Sequence, residues 1–402
     1  MKVAVIGGGA GGFFSAINIK TFHPQAQVFV FEKTSKLLSK VAVSGGGRCN
    51  VTHACFEPEE LALCYPRGGK FLKKLFYEFN PRDTISWFAD RKVKLKTEED
   101  GRMFPLSDSS QTIIDCFLEQ AQKQNIRIHP QTEVCKINPM ERGFELFFSK
   151  QSKAVFFDKV IVAIGGQNTL EKFAWLSNLN LKVIKPVPSL FTFNMPNNPI
   201  KELMGLSAWV KAEIKEAKKL QNEGNLLITH WGMSGPAILK LSAWGARYLS
   251  EQNYQFELQV SWIDSKQEML KEKIADFRAK KGASLPQNHH FTDLPKRLWV
   301  FLLEKAQINM QKKWADLNKN EINKLCEVLL NDSYEVSGKT TYKEEFVTCG
   351  GIALDEINPQ TMASKKHPNL YFTGEVLDID GITGGFNFQA AWTTAWIAAK
   401  LV

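Results

Sequence analysis

Apolar residues fall into short unbroken runs near both ends of the chain and into strict alternation in its middle, a change of pattern that predicts two kinds of sheet. Val3-Ala4-Val5-Ile6, Val28-Phe29-Val30-Phe31 and Lys159-Val160-Ile161-Val162-Ala163-Ile164 are unbroken, as expected of parallel strands covered on both faces. Thr112 to Gln124 reads as a helix, and Gln131 to Ile137 and Phe144 to Phe148 read as strands. From Ser189 the period becomes two. Leu190 and Thr192 alternate with Phe191 and Phe193, and Ala208, Val210, Ala212 and Ile214 alternate with Trp209, Lys211, Glu213 and Lys215. Leu226 to Thr229 and Phe256 to Val260 continue this pattern, which predicts an antiparallel, barrel-like insert. Helices follow: Ser265 to Lys281 behind a Ser265/Glu268 capping box, then Pro295 to Trp314 and Glu321 to Leu330. The chain returns around Gly338 to Glu345, Asn369 to Glu375 forms another buried strand, and a last helix starts near Gly385.

These elements predict an α/β, Rossmann-like nucleotide-binding domain in two parts, 1–189 and 343–402. It is interrupted by a barrel-like insert at 190–263, a small helical domain at 264–332 and a return to the barrel at 333–342.

The chemistry lies where the apolar runs end. Gly7-Gly8-Gly9-Ala10-Gly11-Gly12 follows the first run, and Glu32 closes the second twenty residues past Gly12. Gly7 suits a tight strand-to-helix turn, Gly9 a close approach of backbone to pyrophosphate, and Gly12 close packing of helix on strand. Glu32 is placed to accept hydrogen bonds from ribose hydroxyls. The late strand selects the dinucleotide. FAD is long enough to be gripped a second time at its flavin half, by Gly374-Glu375 and by a helix opening at Gly385-Phe386-Asn387 whose positive end faces the ring. The expected cofactor-binding set is Gly7, Gly9, Ala10, Gly12, Glu32, Lys33, Gly46, Arg48, Asn50, Val134, Gly165, Gly374, Glu375, Asp380, Gly385, Phe386 and Asn387. No second glycine fingerprint exists for a nicotinamide cofactor, so NADPH or NADH is expected only as a transient donor entering the substrate pocket in turn.

Composition narrows the classes. Of 402 residues, 44% are hydrophobic and 23% charged, which suits a globular protein. Seven cysteines with no CxxC pair and no Cys/His cluster at zinc spacing predict reduced thiols and no metal. With no leader-like segment and no apolar run of membrane length, a cytoplasmic location and no membrane are expected. The net charge is +9, and between Arg67 and Lys96 nine basic residues stand against three acids. Tyr65, Phe71, Phe76, Tyr77, Phe79 and Trp87 interleave with them, so the segment reads either as an RNA-binding surface or as a solvated lysine face over an aromatic core.

Ser44-Gly45-Gly46-Gly47-Arg48-Cys49-Asn50-Val51-Thr52, Gly101 to Pro105, Thr229 to Pro236 and Gly374 to Gln389 together resemble the BaiN/YhiN-like flavoprotein family across nearly the whole chain. The resemblance implies a two-part FAD domain with a barrel insert and a helical domain. It also implies an FAD-dependent reductase, with one branch reducing a uridine of large-subunit ribosomal RNA and others acting on small molecules. Such a reduction needs a positioned acid. Cys49, its pKa lowered by Arg48, and His230 at a strand end are the expected proton donors, with Cys349 as a further thiol and Arg102 as a clamp on a substrate carbonyl or phosphate. Small-molecule enone reduction or amine oxidation, and an FAD-stabilised RNA-binding factor without turnover, are the other readings.

Overall fold

The unbroken apolar runs form one parallel sheet. Strands β1 (Lys2–Ile6), β2 (Gln27–Phe31), β3 (Arg127–His129), β4 (Lys159–Val162) and β5 (Leu370–Phe372) pair in the order β5-β4-β1-β2-β3, with every pairing parallel. In the computed structural model, which describes residues 1–217, 219–340 and 347–401, the chain divides into two units, Met1–Ser189 with Tyr342–Val402 and Leu190–Thr341. Each has its own apolar core.

The first unit is built around two helices that are buried on all sides. In α1 (Ala10–Phe22) every residue from Gly11 to Ile19 is buried, and in α3 (Phe386–Ala399) so is every residue from Gln389 to Ala395; α2 (Ser39–Gly47) lies between them in sequence. A helix that is apolar all round must be enclosed. Small residues allow close approach: a Cβ at Gly11 would lie 3.5 Å from Thr373 Oγ1 and 4.0 Å from Ala391 Cβ. Aromatic rings fill the remaining space, with Phe14 at 5.1 Å from Trp392 and 4.6 Å from Trp87. The buried polar side chains of α3 find partners. Gln389 Oε1 accepts from Thr52 (2.6 Å) and Thr84 (2.8 Å), Trp392 Nε1 donates to Val51 O (2.9 Å), and Thr393 Oγ1 donates to Phe79 O (2.9 Å).

Two features of this unit differ from expectation. β3 is a three-residue edge strand, too short to show a period, and the strand expected from Gln131 begins at Val134 because Gln131 turns the chain with φ 52°. That strand, Val134–Met140, joins Gly143–Phe148 and Val155–Phe157 in an antiparallel sheet. Phe148 and Phe157 from this sheet pack on Phe31 of β2, at 4.9 and 5.7 Å.

The second unit carries the period-two segments. Among the described residues its seven sheet strands are all paired antiparallel, from Asp332–Ser337 through Gln255–Ser261, Ser207–Ile214, Gln221–Ile228, Gly232–Ser234 and Thr192–Asn194 to Lys339–Thr340. The two outermost strands in that order are consecutive in the chain, joined by Gly338, so the sheet curls back on itself in a barrel-like form. After the helices Pro236–Trp244 and Ala246–Glu251, the three helices expected from Ser265 onward have bounds that differ from expectation. The first spans Gln267–Lys281 with Lys266 at its cap, because Ser265 Oγ bonds Lys266 O and not the helix. The second spans Lys296–Lys305 and stops before Gln307, which adopts φ 58°; Trp314 belongs to a separate 3-10 turn. The third, Lys319–Leu330, opens with an Asn318/Glu321 capping box. Residues 341–345 of the expected return lie outside the described residues.

Close packing of α1 on β1 requires the absence of a side chain at Gly12, where a Cβ would stand 1.9 Å from Gly7 O. Gly12→Ala is therefore expected to lower stability by about 1–3 kcal/mol, seen as a lower denaturant midpoint. An unchanged midpoint contradicts this packing.

Candidate cofactor site

The residues at the carboxyl edge of the parallel sheet leave backbone uncovered. β1 runs into Gly7, which has φ +117° and no room for a side chain, since a Cβ would sit 2.3 Å from Ala163 O. That tight turn aims the amino end of α1 across the strand ends. The first bond of α1 is Phe13 N–H to Gly9 O (3.0 Å), so the N–H groups of Ala10, Gly11 and Gly12 lie outside the helical ladder and favour an anion. Nothing lies within 4 Å of a Cβ built on Gly9, Gly46 or Gly165. Open backbone beside a helix amino end is what a pyrophosphate requires. These residues fit a bound dinucleotide.

Glu32 stands over this turn. One carboxylate oxygen accepts from Gly8 N–H (2.9 Å), and the other accepts from Thr34 N–H (2.8 Å) and Thr34 Oγ1 (2.9 Å). Lys33 is exposed beside it, and Val134 is buried at the start of its strand. α2 breaks at Ser44, and Gly45 and Gly46 take left-handed backbone. Asn50, just beyond, donates to Thr52 O (3.0 Å) and Met103 O (3.3 Å) and accepts from Gly385 N–H (3.0 Å), tying this loop to the start of α3.

The second helix amino end belongs to α3. Gly385 caps it at φ 92°, where a Cβ would meet Thr52 O at 2.6 Å, and Gln389 N–H makes its first helical bond, to Gly385 O. Tyr65 donates from its hydroxyl to Phe386 O (2.7 Å). The Asn387 side chain is directed elsewhere than expected: it donates to Gly381 O (3.0 Å) and accepts from Gly381 N–H (2.8 Å), so it shapes the preceding loop. Gly374 N–H is taken by Thr394 Oγ1 (2.9 Å), and Glu375 accepts from Lys40 Nζ (2.7 Å) and from Thr348 N–H (2.8 Å).

Several expected roles are corrected. Asp380 is fully buried; Arg67 pairs with its carboxylate and Ser189 Oγ donates to it (2.7 Å), so its polar atoms fasten loops of the chain and are not offered to a cofactor. Arg48 does not acidify Cys49. Its guanidinium stacks on Phe104 at 4.0 Å and bonds Glu98 (2.6 Å), while burial pushes the Cys49 thiol up to about 12. Arg102 is engaged by Asp100 (2.7 Å) and by the same Glu98 (3.0 Å). His230 is an exposed side chain of the second unit, in the turn after Gln221–Ile228, with its ring 4.6 Å from that of Trp231.

The basic segment divides by face. Tyr65, Phe76, Phe79 and Trp87 are buried and Phe71 is half-buried, so the interleaved aromatics are mainly core; Tyr77 is exposed and bonds Glu59. Among the described residues, Lys70, Lys74, Lys92 and Lys94 are exposed and carry no ion pair. Sequence reasoning missed the partners Lys40 and Arg67, which lie 335 and 313 residues from Glu375 and Asp380. No local pattern marks such pairs. Among the described residues no cluster of His, Cys, Asp and Glu could hold a metal ion, and no helix is long and apolar enough to cross a membrane.

Comparison with known proteins agrees with this geometry. The family described as HI0933-like protein Rossmann domain matches residues 1–401. The chain is 29% identical over 406 residues to the ribosomal RNA dihydrouridine synthase of Escherichia coli, covering 98% of this chain and 96% of that protein. It is 25% identical over 409 residues to the 3-dehydro-bile acid delta(4,6)-reductase of Clostridium scindens, covering 99% and 98%. In fold it is similar to 3-ketosteroid delta1-dehydrogenase from Sterolibacterium denitrificans, with a TM-score of 0.52 and 11% identity over 99% of this chain and 98% of that one.

Two outcomes follow from the site. Gly9→Ala places a methyl where the backbone is open, so the fold should keep its unfolding midpoint while FAD affinity, measured by flavin fluorescence quenching, falls at least tenfold; unchanged affinity contradicts the assignment of Gly9. In the native protein at neutral pH, iodoacetamide should label exposed Cys135 and spare Cys49, read by peptide mass. Rapid labelling of Cys49 would show an accessible thiolate.

Proposed function

We propose, from the premise that this chain belongs to the HI0933-like family and is an FAD-dependent oxidoreductase, that it reduces the C5–C6 double bond of a uridine in large-subunit ribosomal RNA. The observation that carries this reading is the presence, on one unit, of a dinucleotide cradle and of the exposed, unpaired lysines Lys70, Lys74, Lys92 and Lys94, which suit a phosphate backbone. The name of the Escherichia coli relative, similar over nearly its full length, supports the substrate. The overall reaction consumes uridine, NADPH or NADH and a proton, and yields dihydrouridine and the oxidised nicotinamide.

FAD, when bound and reduced, would supply hydride chemistry for the ring carbon β to the carbonyl. The chain's own residues do the rest. Gly7, Gly9, Ala10 and Gly12 would hold the pyrophosphate, and Glu32 the adenosine ribose. Gly46, Asn50, Gly165 and the amino end of α3 would hold the flavin half, with the helix end favouring negative charge there. A proton must reach the neighbouring carbon. Cys49, kept neutral by burial, and His230, an exposed imidazole, are the groups we assign to that task, and Cys49→Ala and His230→Gln separate them. The donor loses single-turnover product formation while flavin reduction is spared; if both variants keep full product formation, the assignment fails.

A second reading, a reductase of a small enone, is favoured by the full-length similarity to the bile-acid reductase, whose name also denotes reduction of a ring double bond. Salt separates the two, because turnover of RNA should fall steeply between about 50 and 200 mM salt and turnover of a small neutral substrate should not.

Deleting the gene should leave one ribosomal RNA nucleotide two hydrogens lighter by mass spectrometry, restored by the wild-type chain. An unchanged nucleoside profile refutes the RNA substrate. Anaerobic mixing with NADPH or NADH should bleach the flavin absorbance; persistence of the band with both removes them as donors.

A further inference from the structure

Cys55 and Cys64 bring two thiols together. They flank the short helix Pro58–Leu63, with Cys55 ahead of its Glu57 cap and Cys64 as its carboxyl cap, and the chain folds so that the two side chains share a hydrogen bond. Both residues are half-buried, so neither is sealed in the core as Cys49 is. The Cys64 thiol also donates to Glu60 O (3.7 Å). Burial, together with the Glu60 carboxylate, pushes the Cys55 thiol up, so it rests protonated at neutral pH.

The pair abuts the chain that opens α3. Cys64 O accepts from Ile382 N–H (2.9 Å). The next residue, Tyr65, is buried, both thiols stand close enough to act on its hydroxyl, and that hydroxyl donates to Phe386 O (2.7 Å). Gly381 packs on the same ring, where a Cβ would lie 3.1 Å from Tyr65 Cε1. Movement of Cys64 is therefore passed to residues 381, 382 and 386, which set the amino end of α3. A sulfur–sulfur bond is about 2.0 Å long, far shorter than a hydrogen-bonded contact, so forming one must draw Cys64 toward Cys55 and disturb the bonds at Ile382 and Phe386.

We propose that Cys55 and Cys64 are an oxidative modification site, closed by a hydroperoxide into one intramolecular disulfide that loosens the amino end of α3. One sulfur, as thiolate, attacks the peroxide: an S–O bond forms, the O–O bond breaks, and the released hydroxide takes up the proton the thiol gave, leaving as water. The second thiol then displaces the sulfenic oxygen, an S–S bond forms, and a second water leaves. Both sulfurs are oxidised, and hydrogen peroxide is reduced to two waters. Hydrogen peroxide is also what dioxygen becomes when it reoxidises a reduced flavin, so the oxidant is a by-product of flavin chemistry itself. The disulfide stands on the contact between the thiols, while its effect on FAD rests on the cofactor reading given above.

The test treats the full-length protein with hydrogen peroxide, blocks remaining thiols with iodoacetamide and maps the peptides by mass. The product should be two hydrogens lighter, with Cys55 joined to Cys64 in one chain, and dithiothreitol should reverse it. FAD should then bind the oxidised wild type about fivefold more weakly than the reduced wild type, read by flavin fluorescence quenching. Peroxide-treated Cys55→Ser and Cys64→Ser should form no such link and keep the affinity of their untreated forms; Cys55→Ala and Cys64→Ala take their place if the serine variants do not fold. Cys55 and Cys64 both still open to alkylation after peroxide, equal FAD affinity with the disulfide closed, or an equal loss of affinity in the cysteine variants overturns the proposal. Failure of the reduced wild type to bind FAD is a different result: it overturns the cofactor assignment, and the peptide map still decides whether the disulfide forms.

Discussion

The close packing of α1 against α3 is the interaction on which the site depends. One helix starts at residue 10 and the other at 386, and each reaches the carboxyl edge of the sheet only because small residues let helix and strand backbones approach. A β-carbon at Gly12 would strike Gly7 O, and one at Gly385 would strike Thr52 O. The rings of Phe14, Trp87, Phe117 and Trp392 then fill the interior so that neither helix can shift without opening a cavity. Two positive helix ends are thereby held at one sheet edge, a device that a single local motif does not provide.

Charge around that edge is settled in pairs. Arg48 and Arg102 share Glu98, Lys40 is bound by Glu375, and Arg67 is bound by Asp380. The cationic side chains nearest the glycine loops are thus largely neutralised by the protein itself. What stays uncompensated and suited to an anion is the set of N–H groups of α1, the left-handed glycines after Ser44 and the opening turn of α3. This division also explains why the Cys49 thiol stays protonated, since it has cationic neighbours in sequence but a buried, low-polarity position in space.

Much of this was legible in the residues alone. Unbroken apolar runs ending in glycine, and a carboxylate at the end of the second run, require no tertiary context to interpret, and β1, β2, β4, β5, α1 and α3 lie where those signals fall. The change to period two likewise located the curled antiparallel sheet. The edge strand β3 was hidden because three residues carry no period. The aromatic residues between Tyr65 and Trp87 fit surface or core in sequence and differ only in burial, and Asp380 reads as a ligand in sequence but is held by Arg67 in space. The acidity of Cys49 depended on depth, which neighbours in sequence do not report.

The central claim is that both ends of the chain together clasp one FAD. Titrating the purified full-length protein with FAD and following flavin absorbance and bound stoichiometry tests it most directly. The account predicts a yellow protein that saturates at one FAD per chain. A colourless protein that takes up no added FAD would contradict it.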